Sequence, residues 1–257
     1  MILHLSTWKE VEKYLSRSKG VIIPIGSTEQ HGPNGIIGTD SICAEVIAKG
    51  VSQSIDALIT PTIYCGVAQF NLDFAGTLTV RPTTLISLIK DTILSLAHHG
   101  FERFYFLNGH GGNISPARCA FQEIYHEESL APSNGPKIRC RIRSWWEHPN
   151  TDKMRHEQYG EWEGFHCTPS EVAMTQYAYP DSMKSVEISA PTKVSMTYIR
   201  NHPSDDHYEA EHHRRTFPDG RIGADSSLAT PLLGKELVEI AVKDVCNDYQ
   251  CFLSEND

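Results

Sequence analysis

No two of the seven cysteines stand in a C-x-x-C spacing, and their number is odd. That pattern excludes a disulfide framework and reads as reduced intracellular thiols. Long apolar runs are also missing, so no segment matches a membrane span. The opening stretch MILHLSTWKEVEKYL lacks the basic and apolar regions of a signal peptide, so the expected location is the cytoplasm. Positive charge is scarce: the formal net charge is −9, and no basic run exceeds His212-His213-Arg214-Arg215. Nucleic acid and anionic membrane are therefore excluded as expected partners. Neither an internal repeat nor a domain-length linker interrupts the chain. Its 257 residues, 40% hydrophobic and 21% charged, suit one domain over residues 1–257 with a sizeable core.

Histidine, in contrast, is plentiful, with thirteen copies, several beside glycine or carboxylate. The stretch VIIPIGSTEQHGPNGIIGTD, from Val21 to Asp40, is the most informative. Val21 to Ile25 is a short β-branched run closed by Gly26 and reads as a buried strand. Glu29 and His31 follow, and Asp40 stands at the far end of the loop. Two carboxylates and an imidazole at a strand end are costly to bury without an opposing charge. A divalent metal supplies one, and carboxylate oxygens with imidazole nitrogens suit zinc, manganese or iron. An acid in the first turn of a helix capped by Thr39 is the plainer account of Asp40.

Further along, Thr7 with Glu10 predicts a capped helix ending near Gly20, and Thr39 a second one through about Ile47. Ala57 to Ile63 reads as a second strand, and Cys65 to Thr77 as an irregular loop. Pro82 starts a helix with Leu85, Ile89 and Ile93 on one face, ending in His98-His99-Gly100, where both histidines have an ordinary C-terminal role. Phe101 to Leu107 reads as a third strand, running into Asn108-Gly109-His110-Gly111-Gly112-Asn113 and a helix from Ile114 to Glu127. Such a loop leaves backbone N–H groups at a helix start for an anion or a developing oxyanion. It lacks the third glycine and the Lys-Ser/Thr of nucleotide loops. Lys137 to Trp145 is a fourth expected strand, Trp146 to His166 an irregular polar and aromatic region, and Thr168 to Tyr179 a helix. Thr230-Pro231 caps the last helix.

Alternating strands and helices predict a layered α/β fold with a mostly parallel central sheet flanked by helices. Ligand sites of such sheets lie beyond the carboxyl ends of the strands. Glu29, His31 and His110 all follow strands and would meet there. His202, His207, His212 and His213 lie in an acidic stretch and read as a solvated face or oligomer contact. Ser226 and Ser227 lack a G-x-S-x-G elbow, which excludes serine nucleophile chemistry for them.

Gly26-Ser27-Thr28-Glu29-Gln30-His31-Gly32-Pro33, Thr39-Asp40 and Asn108 to Asn113, in this order, resemble the creatininase (creatinine amidohydrolase) family. The resemblance implies a two-metal amidohydrolase, commonly a homohexamer. It places Glu29, Asp40 and His110 on one divalent ion, with His31 and Asp40 on the other and Asp40 bridging. Zinc is the first expectation, manganese or iron the alternatives. Creatininase itself has a glutamate ligand where this chain has Gly112; His166 followed by Glu171 matches the pattern of family members with two glycines, and supplies Glu171 as the substitute. Thr168 and Glu171 equally form an S/T-x-x-E capping box. By the same resemblance Trp162 walls the substrate; an imidazole that shuttles protons near pH 7 suits His166 to protonate the leaving nitrogen, and the Gly111 and Gly112 N–H groups suit an oxyanion or a substrate carboxylate. Phe70-Asn71 and Ala75 depart from the family's pattern, which points to altered substrate-facing loops. The implied reaction is attack of a metal-bridging hydroxide on a small cyclic amide or formamide, cleaving a non-peptide C–N bond. A short-peptide metallopeptidase and an inactive metal-binding scaffold are the alternatives.

Overall fold

Three six-residue strands, β-branched in the first, aromatic in the second and rich in arginine in the third, build the sheet of the computed structural model, which describes residues 1–131, 137–195, 197–198 and 207–255. In chain order, α1 (Trp8–Leu15) precedes β1 (Gly20–Ile25), α2 (Thr39–Ile55), α3 (Pro82–His98) and β2 (Arg103–Asn108). Then come α4 (Ile114–Leu130), β3 (Arg139–Ser144), α5 (Pro149–Tyr159), α6 (Pro169–Ala178), α7 (Ala210–Thr216) and α8 (Pro231–Ser254). All three strands are parallel, in the order β1-β2-β3, with Val21 opposite Phe104 and Phe104 opposite Cys140.

Side chains alternate across each strand and feed two cores. Val21, Ile23, Ile25, Phe104 and Phe106 pack with Leu85, Ile89, Ile93, Ala117 and Phe121 of α3 and α4. Ile22, Tyr105 and Leu107 face the other way, onto Ile47, Val51, Leu237, Ala241 and Val245 of α2 and α8. Helices thus cover both faces, which is why β1 is buried throughout and reads as a continuous apolar run. The layered α/β architecture is the expected one.

Three local expectations need correction. Residues 57–63 form no ladder strand; Ile59 bridges Ile22 and Ile63 bridges Ile25, each singly. Pro61 between them has no N–H to continue the pairing. Helix α2 runs on to Ile55, because Gly50 is not a terminator but the place where Val242 of α8 approaches; a Cβ there would lie 2.5 Å from its methyl group. The stretch expected to be irregular after Trp146 contains α5. Its buried face is Thr151, Met154, Arg155 and Tyr159, so the helical spacing is there but half of it is polar. Helix α1 ends at Leu15 and hands over to β1 at Gly20.

Candidate metal centre

The carboxyl edge of the sheet gathers the candidate ligands. Glu29 and His31 leave β1, His110 leaves β2, and Asp40 and Glu171 occupy the first turns of α2 and α6. Two glycines make this close packing feasible. A Cβ on Gly26 would collide with the Asp40–Ser41 backbone, and one on Gly109 with the Asp40 carbonyl. The start of α2 therefore rests directly on the ends of β1 and β2.

Each imidazole is oriented by a backbone carbonyl. His31 Nδ1 lies 3.1 Å from the Glu29 carbonyl and donates to it, which leaves Nε2 facing Asp40 Oδ1 at 3.0 Å and Glu171 Oε1 at 3.7 Å. His110 Nε2 donates to the Val67 carbonyl at 2.9 Å, and its Nδ1 stands 3.1 Å from Asp40 Oδ2. Glu29 accepts from the Ser27 hydroxyl at 2.8 Å and from the Asn71 amide at 2.9 Å. Such outer partners fix the tautomer and aim of metal ligands. Glu29, Asp40 and His110 offer one set of ligand atoms lying within 4.8 Å of one another; His31, Asp40 and Glu171 offer a second. Asp40 belongs to both. A third set of Glu29, His31 and His166 overlaps them. All six side chains are buried.

The charges in this pocket are unbalanced without a cation. Burial pushes Glu29 up to about 6 and Glu171 up to about 7, against the pull of the neighbouring imidazoles. Burial opposes protonation of His31, yet Asp40 and Glu171 raise it to about 10; His110, beside Glu29 and Asp40, rises to about 9. Asp40, despite burial, is held well below the usual carboxylate range by His31 and His110. Asp40 Oδ2 finds no properly directed hydrogen bond among the described residues. Burial thus shifts Glu29 and Glu171 toward their protonated forms, while the ionised Asp40 favours protons on His31 and His110. Divalent ions fit this oxygen and nitrogen set and would displace those protons.

A cavity of about 370 Å³ opens onto Asp40, His110, His166 and Glu171. His166 is buried, with Nε2 2.8 Å from the Gln30 carbonyl and Nδ1 3.7 Å from Glu29 Oε1. Burial and the neighbouring His31 and His213 hold it well below its ordinary value, so the ring is neutral. Gly111 lines the cavity. Gly112 does not: a Cβ there would run into the Val67 carbonyl and lie 2.7 Å from His110 Nε2, so this position has no room for a side-chain ligand. Glu171 has both of its expected contacts at once. Its Oε1 accepts from the Thr168 N–H at 2.6 Å in a complete capping box, while it faces His31. Trp162 lies off the cavity wall, under the Lys193 ammonium at 4.9 Å. Trp145, Trp146, Phe165 and Tyr198 give the cavity its aromatic wall.

Several positioning residues escaped the sequence reading. Asn71, read as substrate-facing, is buried behind Glu29 and accepts from the Gln30 amide at 2.7 Å. Phe70 stacks on His207 at 4.2 Å and meets His213 edge-on at 5.1 Å. His213 is therefore buried and His207 lines the cavity, in place of the expected solvated face. His212 packs on Tyr208, and His202 lies outside the described residues. The departure from family pattern at Phe70-Asn71 was the available signal. Its meaning depends on a fold that buries both.

Known proteins fit this geometry. Over 189 residues the chain is 25% identical to the creatinine amidohydrolase of Pseudomonas putida, covering 68% of this chain and 70% of the relative. It is 26% identical over 183 residues to a 3-dehydro-scyllo-inosose hydrolase of Thermotoga maritima, 69% of this chain and 56% of that one. A mycofactocin precursor peptide peptidase of Mycobacterium tuberculosis is 35% identical over 109 residues, 38% of this chain and 43% of that one. A mutant creatininase superposes with a TM-score of 0.82 over 99% of both chains at 22% identity, a likeness of fold. Solved creatininases of the same fold include a manganese form and a zinc–zinc form. The family's sequence signature, creatinine amidohydrolase, matches residues 4–248, and the chain accordingly belongs to the creatininase family of hydrolases.

Proposed function

We propose that residues 1–257 form a single catalytic domain, a metal-dependent amidohydrolase cleaving the non-peptide C–N bond of a small cyclic amide or formamide. The observation that carries this reading is the pair of buried ligand sets sharing Asp40 at the mouth of one cavity. Glu29, Asp40 and His110 would hold one divalent ion, and His31, Asp40 and Glu171 the other, zinc first, with manganese or iron as alternatives. When bound, two such ions would supply Lewis acidity and lower the pKa of water at the site toward neutrality. The chain does the rest. The Glu29 and Val67 carbonyls hold His31 and His110 in their ligand tautomers. His166, with the Nε2 proton committed to the Gln30 carbonyl, takes a proton at Nδ1 and returns it to the leaving nitrogen. The Gly111 N–H steadies the developing oxyanion.

The enzyme would work in the cytoplasm as a homo-oligomer, a hexamer by family resemblance. No described helix is long and apolar enough to cross a membrane, and Leu72, Leu78, Leu88 and Leu94 expose apolar surface suited to self-association.

The test is elemental analysis of the wild type and of Glu171→Gln, with turnover measured on creatinine, cyclic amides and formamides. Two ions per chain in the wild type and one in the variant are expected. One ion in both returns Glu171 to its cap, and none in either removes the metallohydrolase reading. The match to the mycofactocin precursor peptide peptidase favours a second reading, cleavage of a short peptide. Turnover of peptides with no small amide accepted would select it.

A further inference from the structure

Arg155 stands on the wall of the cavity that also exposes His110, His166 and Glu171. It is only 8% exposed, so its charge requires partners. Nε donates to Glu163 Oε1 at 2.7 Å and Nη1 to the Trp146 carbonyl at 3.1 Å, with Asp152 3.4 Å from Nη1. The guanidinium lies 5.4 Å from the centre of the Trp145 ring. Nη2 makes no hydrogen bond among the described residues, and it is not one of the sealed polar atoms. It is the end of the guanidinium left open. The guanidinium is a donor only, so what Nη2 lacks is an acceptor.

A buried polar chain ties this corner to the metal centre. The Ser170 hydroxyl donates to Glu163 and lies 3.0 Å from Thr168 Oγ1, and the Thr168 N–H donates to Glu171. Arg155 and Glu171 are thus held in one frame, on opposite ends of three side chains. Glu163 occupies the Nε edge and does not block Nη2.

We infer that Arg155 is the anion anchor of this site, and that the substrate bears a carboxylate beside the amide to be cleaved. The inference rests on the hydrolase reading above and names its substrate class. The carboxylate takes a charge-assisted hydrogen bond from Nη2, while the amide lies toward Asp40 and Glu171. A formamide or cyclic amide that carries a carboxylate presents this chemistry, and under the second reading so does the C-terminus of a short peptide.

Binding to the metal-loaded protein, read by calorimetry without turnover, separates the anchor from the reaction. The probes are N-formylglycine against N-formylglycinamide, and N-acetyldiglycine against its amide. The expected result is acid binding about tenfold or more tighter than the neutral partner. The pair showing the larger preference identifies the source of the carboxylate. In Arg155→Met/Glu163→Gln, which removes both charges together, the ratio should fall to about one. Arg155→Gln keeps a donor without charge and serves if the double variant does not fold. Equal binding, binding of none of the four probes, or an undiminished ratio in a folded variant overturns the anchor. A preserved preference with no amide hydrolysed would instead sink the hydrolase reading.

Discussion

Two helices of this chain open with the same four-residue device. Thr7-Trp8-Lys9-Glu10 starts α1 and Thr168-Pro169-Ser170-Glu171 starts α6, and both form complete capping boxes. In the first, Glu10 is exposed and its carboxyl is lowered by the Thr7 backbone and hydroxyl. In the second, Glu171 is buried against His31 and pushed up to about 7. One box starts a helix in water; the other starts it inside a cluster of titrating groups. The local code is identical, and tertiary position alone turns the second cap into a candidate ligand. Glu171 Oε1 accepts from the Thr168 N–H and is also the oxygen 3.7 Å from His31 Nε2, so cap and site meet on one carboxylate.

The sharpest way to break this contrast is a paired substitution. Glu171→Gln keeps an acceptor for the Thr168 N–H, since glutamine also completes a capping box. Helix stability should hardly change while turnover falls at least about a hundredfold, as expected when a metal ligand is lost. Glu10→Gln should leave turnover untouched. Equal, small effects on turnover in both would reduce Glu171 to a cap.

Next in size are the residues that aim the ligands. Thr168→Ala removes the hydroxyl that accepts from the Glu171 N–H, and Asn71→Ala removes the amide held 2.9 Å from Glu29. Each should weaken metal affinity about tenfold, at the lower end for outer partners of a metal site. Competition with a calibrated chelator reads this directly. Unchanged affinity in Asn71→Ala would leave Asn71 a packing residue only.

The pH dependence of the metal-free protein separates the boxes by sign. Glu29 and Glu171 bind protons more tightly when folded, so their contribution is complete below about pH 4.5 and is lost as pH rises through about 6 and 7. His31 and His110 act alike from about pH 6.5, losing theirs through about 9 and 10. His166 and His213, both lowered, act in the opposite sense below about pH 6.5, so the Tm of chelated protein should fall from about pH 7 to 9. Metal-loaded protein should resist this fall, because ions replace the protons. Glu10, lowered, works in the opposite sense and only below its ordinary value. A chelated Tm that rises over the same interval would contradict the burial of these carboxylates.

Much of this site was open to reading because its first half is local. Glu29, His31, Asp40 and His110 all sit next to strand ends or glycines whose spacing shows in one dimension, and the parallel sheet brings such ends to one edge. The second half is not local. Arg155 lies on a helix whose buried face is half polar, so apolar periodicity does not reveal it. Asn71 acquires meaning only when the loop folds behind Glu29, and Trp162 has the right residue type but points under Lys193. Gly112 is instructive in another way. Its missing side chain signalled a lost ligand, and the structure adds that a Cβ has no space there.

The smallest effect belongs to the outer box. Thr7→Ala deletes a hydroxyl that accepts from the Glu10 N–H at 3.4 Å, a long bond on an exposed helix. Losing an N-cap there should lower Tm by about 2 °C and leave metal content and turnover at wild-type values. Thr168→Ala deletes the same atom from the same motif, and there the Tm change should come with weaker metal binding. If the two threonine variants differed only in Tm, the inner box would be a cap like the outer one, and the second ion would need a ligand other than Glu171. His166, already grouped with Glu29 and His31, is the residue placed to supply it.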